Sequence, residues 1–421
     1  MKQIKDVKVS DYFIRDDCRL CKSKNLSRVL ELPSTPLANE FVTSSHCGIF
    51  QEKFPLFLSQ CRQCGHVQLP VVVDPERLFR NYVYVSGTSK AFIAHFEALA
   101  TEVIARNGIP RGALVVEIGS NDGTALKAFK ERGMNVLGVD PATNIAAAAS
   151  NDGIPTLPHF FTVPIAEEIL DREGHAKLVI ANNVFAHADD LEGILEGVIT
   201  LLEPASGVFV FEVQYLGDMM EHGYFDMIHH EHLSYHALAP LVPFLGRKGL
   251  QVLSCQYVST HGGSIRVTCG LRKPTSSESE QLQLMIEAEG EKLNRYGFRR
   301  MAETIEKAST DLINLLRATN RKVWGFGGPA KLTTLFYALN LNSNSFVAII
   351  DDSPLKQGLF TPGAHIPVVS FDDFQRRATN TEEVLVIFAW NFTDQIKQRF
   401  IGTSHKLFTP LPTLKMVNQF E

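Results

Sequence analysis

Runs of apolar residues in the middle of the chain alternate with stretches of helical periodicity. The run Leu114–Ile118 is followed by a loop with two glycines and by a helical pattern over 124–132. A second apolar run, Asn135–Val139, ends in Asp140. Two further strands are predicted at 177–182 and 207–213. Strands and helices that alternate in this way predict a doubly wound, mostly parallel α/β sheet.

The last third of the chain shows a similar pattern after a polar segment. Between Ser276 and Asn320, apolar residues recur in steps of three and four, which predicts an amphipathic helix. The apolar stripe consists of Phe298, Met301, Ile305, Ala308, Leu312 and Leu315. A strand, a glycine loop and a helix follow from Lys322, and another strand over 346–352 ends in two acids. We therefore expect a second α/β domain.

Two C-x-x-C pairs precede both sheets. Cys18 and Cys21 form the first pair, and Cys61 and Cys64 form the second, about forty residues later. Two thiolates from each tight turn can complete a tetrahedral zinc site, and the ion then serves as the core of a segment too short to bury one. A site filled by four thiolates has no open position for a substrate, so we expect this zinc to be structural.

The length and charge of the chain narrow the picture. A chain of 421 residues exceeds what one compact core normally accommodates, and we expect three domains, at 1–79, 80–272 and 273–421. The net charge of −5 does not favour a protein that binds a phosphate backbone. No apolar stretch reaches the length of about eighteen residues needed to span a membrane, and we expect a cytoplasmic protein.

The loop after the first central strand reads E-x-G-x-N-x-G rather than the G-x-G-x-x-G of dinucleotide-binding proteins. A dinucleotide places its pyrophosphate on backbone amides, whereas S-adenosylmethionine has no phosphate and carries an ammonium and a sulfonium. An acid ahead of the glycine therefore favours S-adenosylmethionine, and an acid after the second strand can reach ribose hydroxyls. The predicted cofactor residues are Glu117, Gly119, Asn121, Gly123, Asp140, Asn182 and Ser86.

Four histidines, an aspartate, a glutamate and a tyrosine occur between Phe225 and His236. Histidine and glutamate are metal ligands, but the segment lacks the H-E-x-x-H spacing of helical zinc sites. General acid/base chemistry fits better, because a histidine with a pKa near neutrality removes a proton while an adjacent carboxylate orients it. A polar loop is the remaining alternative. His187, just past a predicted strand, lies at the edge where α/β sheets bind ligands.

The segment 81–89 reads N-Y-V-Y-V-S-G-T-S and begins at Asn81, ahead of the first central helix. Tyr82, Tyr84 and the nearby hydroxyl groups could donate hydrogen bonds to a substrate and to a developing oxyanion. A plain linker would have much the same composition, so both interpretations remain.

Together these motifs resemble the sugar C-methyltransferases that act on nucleotide-linked 4-keto-deoxy sugars, such as dTDP-sugar C-3 methyltransferases. The resemblance spans nearly the whole chain. It is carried by the four cysteines, by Tyr82, Val83, Tyr84 and Ser86, and by segments 117–123, 183–187, 230–235 and 261–266. It implies a Rossmann-like class I methyltransferase domain between an N-terminal zinc-binding module and a C-terminal Rossmann-like α/β domain.

The resemblance also implies a reaction: abstraction of a proton next to a ketone, followed by attack of the enolate on the cofactor's methyl group. His232 would be the base and Glu231 its partner, while Tyr84, or else Tyr82, would lie near the substrate oxygen. His229 stands where the family commonly has a tyrosine, and its imidazole could donate the same hydrogen bond.

The remaining expectations concern the substrate. His187 is grouped with the catalytic residues, and Arg266 with those that bind the substrate. The C-terminal domain would help to enclose a nucleotide sugar, with Lys331 facing its phosphates. We expect a monomer or a dimer without nucleic-acid or membrane partners.

Two other functions remain open from the sequence. The C-terminal strand, glycine loop and acid suggest an NAD-dependent sugar-nucleotide oxidoreductase or epimerase, although Pro329 removes an amide donor from that loop. A zinc-ribbon nucleic-acid methyltransferase would require salt-sensitive binding that the negative net charge does not favour.

Overall fold

The computed structural model describes residues 11–80, 82–293, 296–319, 322–378 and 382–417. Asn81 and Asn320, which belong to predicted segments, lie outside these ranges. Within the described ranges, no helix combines the length and the apolar character needed to cross a membrane.

The N-terminal region consists of short strands and one helical turn. These elements are β1 Tyr12–Ile14, β2 Leu26–Thr35, β3 Phe54–Cys61, β4 Val67–Gln68, β5 Val71–Val73 and α1 Pro75–Phe79. β2, β3 and β4 form an antiparallel sheet, and β1 pairs with β5. α1 begins after Asp74, whose side chain accepts the N–H of Glu76 and satisfies one of the helix's unpaired donors.

The central region follows the predicted alternation of strands and helices. Its elements are α2 Lys90–Asn107, β6 Leu114–Ile118, α3 Thr124–Glu131, β7 Asn135–Val139, α4 Thr143–Asn151, β8 Thr156–Leu157, α5 Val163–Glu173, β9 Leu178–Asn182, α6 Leu191–Leu201, β10 Val208–Gln214, α7 Leu216–His222, β11 Ser234–Tyr235, α8 Leu238–Arg247, β12 Gln251–Val258 and β13 Ser264–Gly270.

The central sheet has seven strands in the order β12-β13-β10-β9-β6-β7-β8. β10, β9, β6, β7 and β8 are parallel, whereas β13 runs antiparallel to β10 and β12. Apolar side chains of α2 and α3 pack on one face, and those of α5 and α6 pack on the other. Both faces are therefore covered, as the continuous apolar strands predict.

The C-terminal region forms a second α/β sheet. Its elements are α9 Ser276–Lys292, α10 Gly297–Ala318, β14 Val323–Phe326, α11 Lys331–Ala338, β15 Phe346–Ile350, β16 Val368–Val369, α12 Phe371–Arg377, β17 Val384–Ile387, α13 Thr393–Gln398, β18 Lys406–Thr409 and β19 Lys415–Met416. The strand order is β16-β15-β14-β17-β18-β19, parallel except for β19.

The amphipathic helix predicted from the apolar stripe is confirmed, but it covers only the second half of the segment 276–320. The predicted stripe lies entirely on α10, where Met301, Ala308 and Leu312 are buried. α9 is a separate, mostly exposed helix whose one buried residue is Glu289. The Glu289 carboxylate accepts the N–H groups of Leu238 and Ala239 at the start of α8, and the partly buried Leu282, Met285 and Ile286 pack against the central core, so α9 is held by both kinds of contact.

The three regions share one core. A single apolar cluster contains Leu56 of β3, Phe225 from the histidine-rich segment and Leu335 of α11. β11, which belongs to that segment, pairs with β4 and completes the N-terminal sheet. The histidine-rich segment therefore lies where the three regions meet.

Candidate active site

The four predicted zinc ligands converge. The Cys18 and Cys64 sulfurs lie 3.6 Å apart, the Cys21 and Cys61 sulfurs lie 3.5 Å apart, and all four lie within 4.8 Å of one another. Sulfur atoms bound to one tetrahedral zinc at about 2.3 Å are separated by similar distances. Gly65, at φ +82°, lets the chain turn back after the second pair. The donor set and its spacing fit a structural zinc ion.

The loop after β6 is held in shape by Asp140 at the end of β7. One carboxylate oxygen accepts the backbone N–H of Asn121 at 2.8 Å, and the other accepts that of Ala142 at 2.9 Å. Gly119 has φ +65°, and a Cβ there would lie 2.4 Å from a methyl group of Val184. Only glycine fits this close approach between the loop and the end of β9.

Glu117 is buried at the end of β6 and accepts a hydrogen bond from the Asn182 side-chain amide at 2.9 Å. Burial raises the pKa of Glu117 to about 8. The second carboxyl oxygen of Glu117 and the side-chain oxygen of Asn182 have no hydrogen-bond partner among the described residues. Two unpaired acceptors at the carboxyl ends of adjacent strands fit a ligand with cationic donors such as S-adenosylmethionine.

Asn121 connects this loop to the tyrosine-containing segment. Its side chain donates to the carbonyl of Tyr84 and accepts the backbone N–H of Ser86, both at 3.0 Å. Ser86 therefore contacts the loop through its backbone. Gly123 forms the N-cap of α3, with φ +75°, and completes the loop. The structure thus brings Tyr82, Tyr84 and Ser86 over the predicted cofactor site.

Glu231 has partners that the sequence did not indicate. One carboxylate oxygen accepts the Tyr82 hydroxyl at 2.8 Å, and the other accepts the side-chain amide of Asn39 at 2.7 Å. Burial raises the pKa of Glu231 to about 7. The expected pairing of Glu231 with His232 is therefore wrong. Adjacent residues in this loop point their side chains apart, and Glu231 binds the N-terminal region instead.

His232 is oriented by the backbone of its own segment. Its Nδ1 lies 2.8 Å from the carbonyl oxygen of Met227. The ring lies between two other imidazoles, with centroid distances of 5.1 Å to His187 and 4.0 Å to His229. Burial lowers the pKa of His232 to about 4, so the ring is neutral at physiological pH. The three histidines form one cluster.

Lys331 is buried rather than exposed at the start of α11. Its ammonium group lies 3.7 Å above the ring of Trp390, donates to the side-chain oxygen of Asn391 at 2.8 Å and lies 3.9 Å from Asp226. Burial lowers its pKa to about 8. Trp390 in turn donates its indole N–H to Asp226 at 2.6 Å, which connects the C-terminal sheet to the histidine-rich segment.

Arg266 does not have the predicted role. Its guanidinium donates to Glu212 at 2.6 Å and to Glu102 at 2.7 Å, and the side chain is buried on β13. Glu212 is directly opposite Arg266 in the register of β10 and β13. Two carboxylates already occupy this arginine, so its assignment to substrate binding is corrected to a structural ion pair.

Comparison with known proteins gives three successive family matches. Residues 18–79 match a zinc binding domain, residues 92–254 a methyltransferase domain, and residues 259–412 the C-methyltransferase C-terminal domain. The C-methyltransferase NovU of Streptomyces niveus is 32% identical over 414 residues, which cover 96% of this chain and 97% of that protein. The ubiquinone biosynthesis O-methyltransferase of Rhodopseudomonas palustris is 34% identical over 100 residues, 24% of this chain and 39% of that protein.

Among solved structures, the PH0226 protein of Pyrococcus horikoshii matches 47% of this chain and 99% of its own, with 13% identity and a TM-score of 0.37. Magnesium protoporphyrin IX methyltransferase of Synechocystis with bound S-adenosylmethionine matches 42% of this chain and 78% of its own, with 14% identity and a TM-score of 0.32. The match to NovU extends over nearly all of both proteins, and the three family matches follow one another along the chain. The chain therefore belongs to the S-adenosylmethionine-dependent C-methyltransferase family that includes NovU, with a zinc-binding N-terminal domain.

Proposed function

We propose that this C-methyltransferase acts on a nucleotide-linked 4-keto-deoxy sugar and that His232 removes the proton next to the ketone. The observation that carries the proposal is the hydrogen bond between His232 Nδ1 and the carbonyl oxygen of Met227. A carbonyl oxygen only accepts hydrogen bonds, so Nδ1 carries the proton and Nε2 keeps its lone pair. A neutral imidazole with its tautomer fixed in this way is suited to accept a proton from carbon.

In the proposed step the C–H bond next to the ketone breaks, the proton moves to His232 Nε2, and the electron pair moves toward the ketone oxygen. S-adenosylmethionine, when bound, would supply the electrophilic methyl group: the carbon would form its new bond as the methyl–sulfur bond breaks and S-adenosylhomocysteine leaves with that electron pair. Negative charge develops on the ketone oxygen, and a donor aimed at it lowers the barrier. We assign this role to Tyr84 and His229.

The hydrogen bond between Tyr82 and Glu231 supports the choice of Tyr84 over Tyr82. A tyrosine hydroxyl has one proton, and that of Tyr82 is donated to the Glu231 carboxylate. Tyr82 therefore cannot donate to a substrate oxygen while this bond persists. We infer that Glu231 and Tyr82 hold the segment 82–86 in place and that Glu231 acts through this contact rather than as the partner of the base.

The position of Lys331 supports a nucleotide-linked substrate. α11 follows β14, and Asn391 follows β17, so both side chains lie at the carboxyl edge between these two strands. From β14 the chain runs outward through β15 and β16 on one side, and it then crosses to β17 on the other side of β14. The edge between β14 and β17 is therefore a topological switch point, where open α/β sheets bind ligands. A buried ammonium group at that place suits a phosphate.

The proposal is tested with a panel of nucleotide 4-ketosugars in deuterated water, following deuterium incorporation next to the ketone and methyl transfer by mass spectrometry. His232→Ala is expected to lower both rates by about a thousandfold, within the range for loss of a general base. Its affinity for S-adenosylmethionine should stay unchanged. His175→Ala, a substitution at an exposed position, is the matched control. Full deuterium incorporation by the His232 variant would remove this residue from the base role.

A further inference from the structure

Gln214, the last residue of β10, is a buried amide without a protein partner. Its side chain is 9% exposed, and neither its amide nitrogen nor its amide oxygen has a hydrogen-bond partner among the described residues. A buried amide in this condition costs free energy unless another group satisfies it. Glu212, two residues earlier on the same strand, contrasts with it, because both of its oxygens are hydrogen bonded, to Arg266 and to His95.

Gln214 lies on the face of the central sheet that carries the predicted cofactor residues. Glu212 is opposite Asn182 in the parallel register of β10 and β9, and the Asn182 side chain reaches Glu117 on the next strand. Side chains two residues apart on a strand point to the same face. Gln214 therefore extends the row of polar side chains formed by Glu117 and Asn182.

Within that row, Gln214 lies at some distance from the predicted cofactor residues. In the order β7, β6, β9, β10, Asp140 lies at one end and Gln214 at the other. Neighbouring strands are about 4.8 Å apart, so Gln214 lies roughly 10 Å beyond the glycine loop of β6, on the side away from the ribose acid. A cofactor held with its ribose near Asp140 and its cationic groups near Glu117 and Asn182 would extend toward this end of the row.

Two segments flank Gln214, and both approach His232. The loop after β9 carries His187, whose ring stacks on His232 at a centroid distance of 5.1 Å. The turn before β13 carries His261, whose pKa is lowered first by burial and also by the nearby Lys331 and His232, and the Gly263 carbonyl of this turn accepts the N–H of Tyr215 at 3.1 Å. Gln214 thus lies between the two loops that border the base.

We propose that Gln214 binds the methyl acceptor and helps to determine which sugar is accepted. Its amide N–H donates to, and its amide oxygen accepts from, oxygens of the sugar ring next to the carbon that is methylated. An amide suits a sugar because it pairs with a hydroxyl group both as donor and as acceptor without adding a charge beside the base. This inference rests on the proposed function.

The test is Gln214→Met, which keeps the volume and removes both polar groups. Since no protein hydrogen bond is lost, the melting temperature of the ligand-free protein should be unchanged or higher. The dissociation constant for S-adenosylmethionine, measured by calorimetry, should also be unchanged. With a dTDP-linked 4-keto-6-deoxyhexose as the probe, kcat/KM should fall by about tenfold or more, the size expected for loss of one or two hydrogen bonds.

Gln68→Met is the matched control for stability. Gln68 is also a buried glutamine, but its oxygen accepts the N–H of Arg19 at 2.9 Å and its amide donates to the carbonyl of Asp17 at 2.8 Å. Its replacement leaves two buried backbone groups unpaired and should lower the melting temperature by at least about 2–4 °C. The two glutamine variants therefore separate a structural amide from a ligand-binding one.

Three results would overturn the inference: a fall in melting temperature for Gln214→Met comparable with that of Gln68→Met, weaker binding of S-adenosylmethionine, or an unchanged kcat/KM while the wild type methylates the probe. Failure of the wild-type protein to methylate any nucleotide ketosugar would overturn the proposed function as well. Unchanged turnover by the variant would reject the role of Gln214 alone.

Discussion

The glycine loops of the central and C-terminal sheets share one backbone arrangement and differ in charge. In each, an acid at the end of the neighbouring strand fixes the loop. Asp140 accepts two backbone N–H groups at 2.8 and 2.9 Å, and Asp351 accepts two at 2.7 and 2.8 Å. The chain therefore contains two Rossmann-like turns, and in each the acid makes the same pattern of hydrogen bonds to the backbone.

The buried ionisable side chains beside the two loops differ: an acid lies at the central loop and two lysines lie at the C-terminal loop. The central loop has the buried acid Glu117, with one unpaired oxygen among the described residues. The C-terminal loop has two buried lysines: Lys331 at the start of its helix, and Lys356, which donates to the carbonyl of Gly328 at 3.0 Å. Backbone shape alone does not select a ligand here. The charge beside the loop favours a cationic cofactor at one and an anionic group at the other.

The largest effect on ligand binding is expected from replacing the aspartate that holds each glycine loop. Asp140→Ala removes the acceptor of the Asn121 N–H in the central glycine loop and of the Ala142 N–H in the turn after β7, and it should weaken S-adenosylmethionine binding by about a hundredfold. Asp351→Ala makes the same change in the C-terminal loop and should leave that affinity unchanged while raising KM for the nucleotide sugar. Calorimetry and initial rates on both variants measure this. Equal losses of cofactor affinity would show that the two loops do not bind different ligands.

An intermediate effect is expected from the charge of Glu117. Because burial raises its pKa to about 8, the carboxyl group is mostly neutral at pH 7 in the free protein. A cationic ligand favours the ionised form, so binding should release a proton, and affinity should increase as the pH is raised from about 6 to about 8. Glu117→Gln should abolish the proton release and weaken binding at pH 8 by about tenfold.

Calorimetry in buffers of different ionisation enthalpy measures the released proton. S-adenosylhomocysteine, which lacks the sulfonium charge, serves as the control ligand and should show a weaker pH dependence. A wild-type protein that takes up a proton on binding S-adenosylmethionine would contradict the assignment of Glu117.

The smallest effect concerns Lys331. Lys331→Met removes the cation above Trp390 and should raise KM for the nucleotide sugar by about threefold to tenfold, since the ammonium group acts as a point charge. Affinity for S-adenosylmethionine should not change. Lys307→Met, at an exposed position of α10, controls for loss of a positive charge in the same region. An unchanged KM in the Lys331 variant would reject the phosphate contact.

Single strands and tight turns could be predicted, because each depends on the pattern of a short stretch of sequence. The apolar runs that begin at Leu114 and at Asn135 form β6 and β7. Each C-x-x-C pair lies in a tight turn, and the antiparallel pairing of β2 with β3 brings the two turns together. The helix boundaries between 276 and 320 could not be predicted in the same way, because the apolar face of α9 is short and only partly buried, and the helix is also fixed by Glu289 acting on a helix distant in sequence.

The contacts that organise the site are remote in sequence, and no local pattern encodes them. Asn39 lies 192 residues from Glu231, and Trp390 lies 164 residues from Asp226. Arg266 was assigned to substrate binding from its sequence motif alone. Its ion pair depends instead on the strand register that places Glu212 opposite it. Gln214 belongs to no sequence motif. Only the structure shows that its side-chain amide has no hydrogen-bond partner among the described residues.

The pairing of β11 with β4 has a practical consequence for dissecting this enzyme. A cut after Phe79 would leave β11 of the histidine-rich segment without β4 and expose its edge, and a chimera that exchanges the amino-terminal third for that of a relative would give β11 a different neighbour. Domain borders drawn along the sequence are therefore not places where the protein can be separated, and grafting experiments must transfer the metal-binding sheet and residues 225–236 as one block.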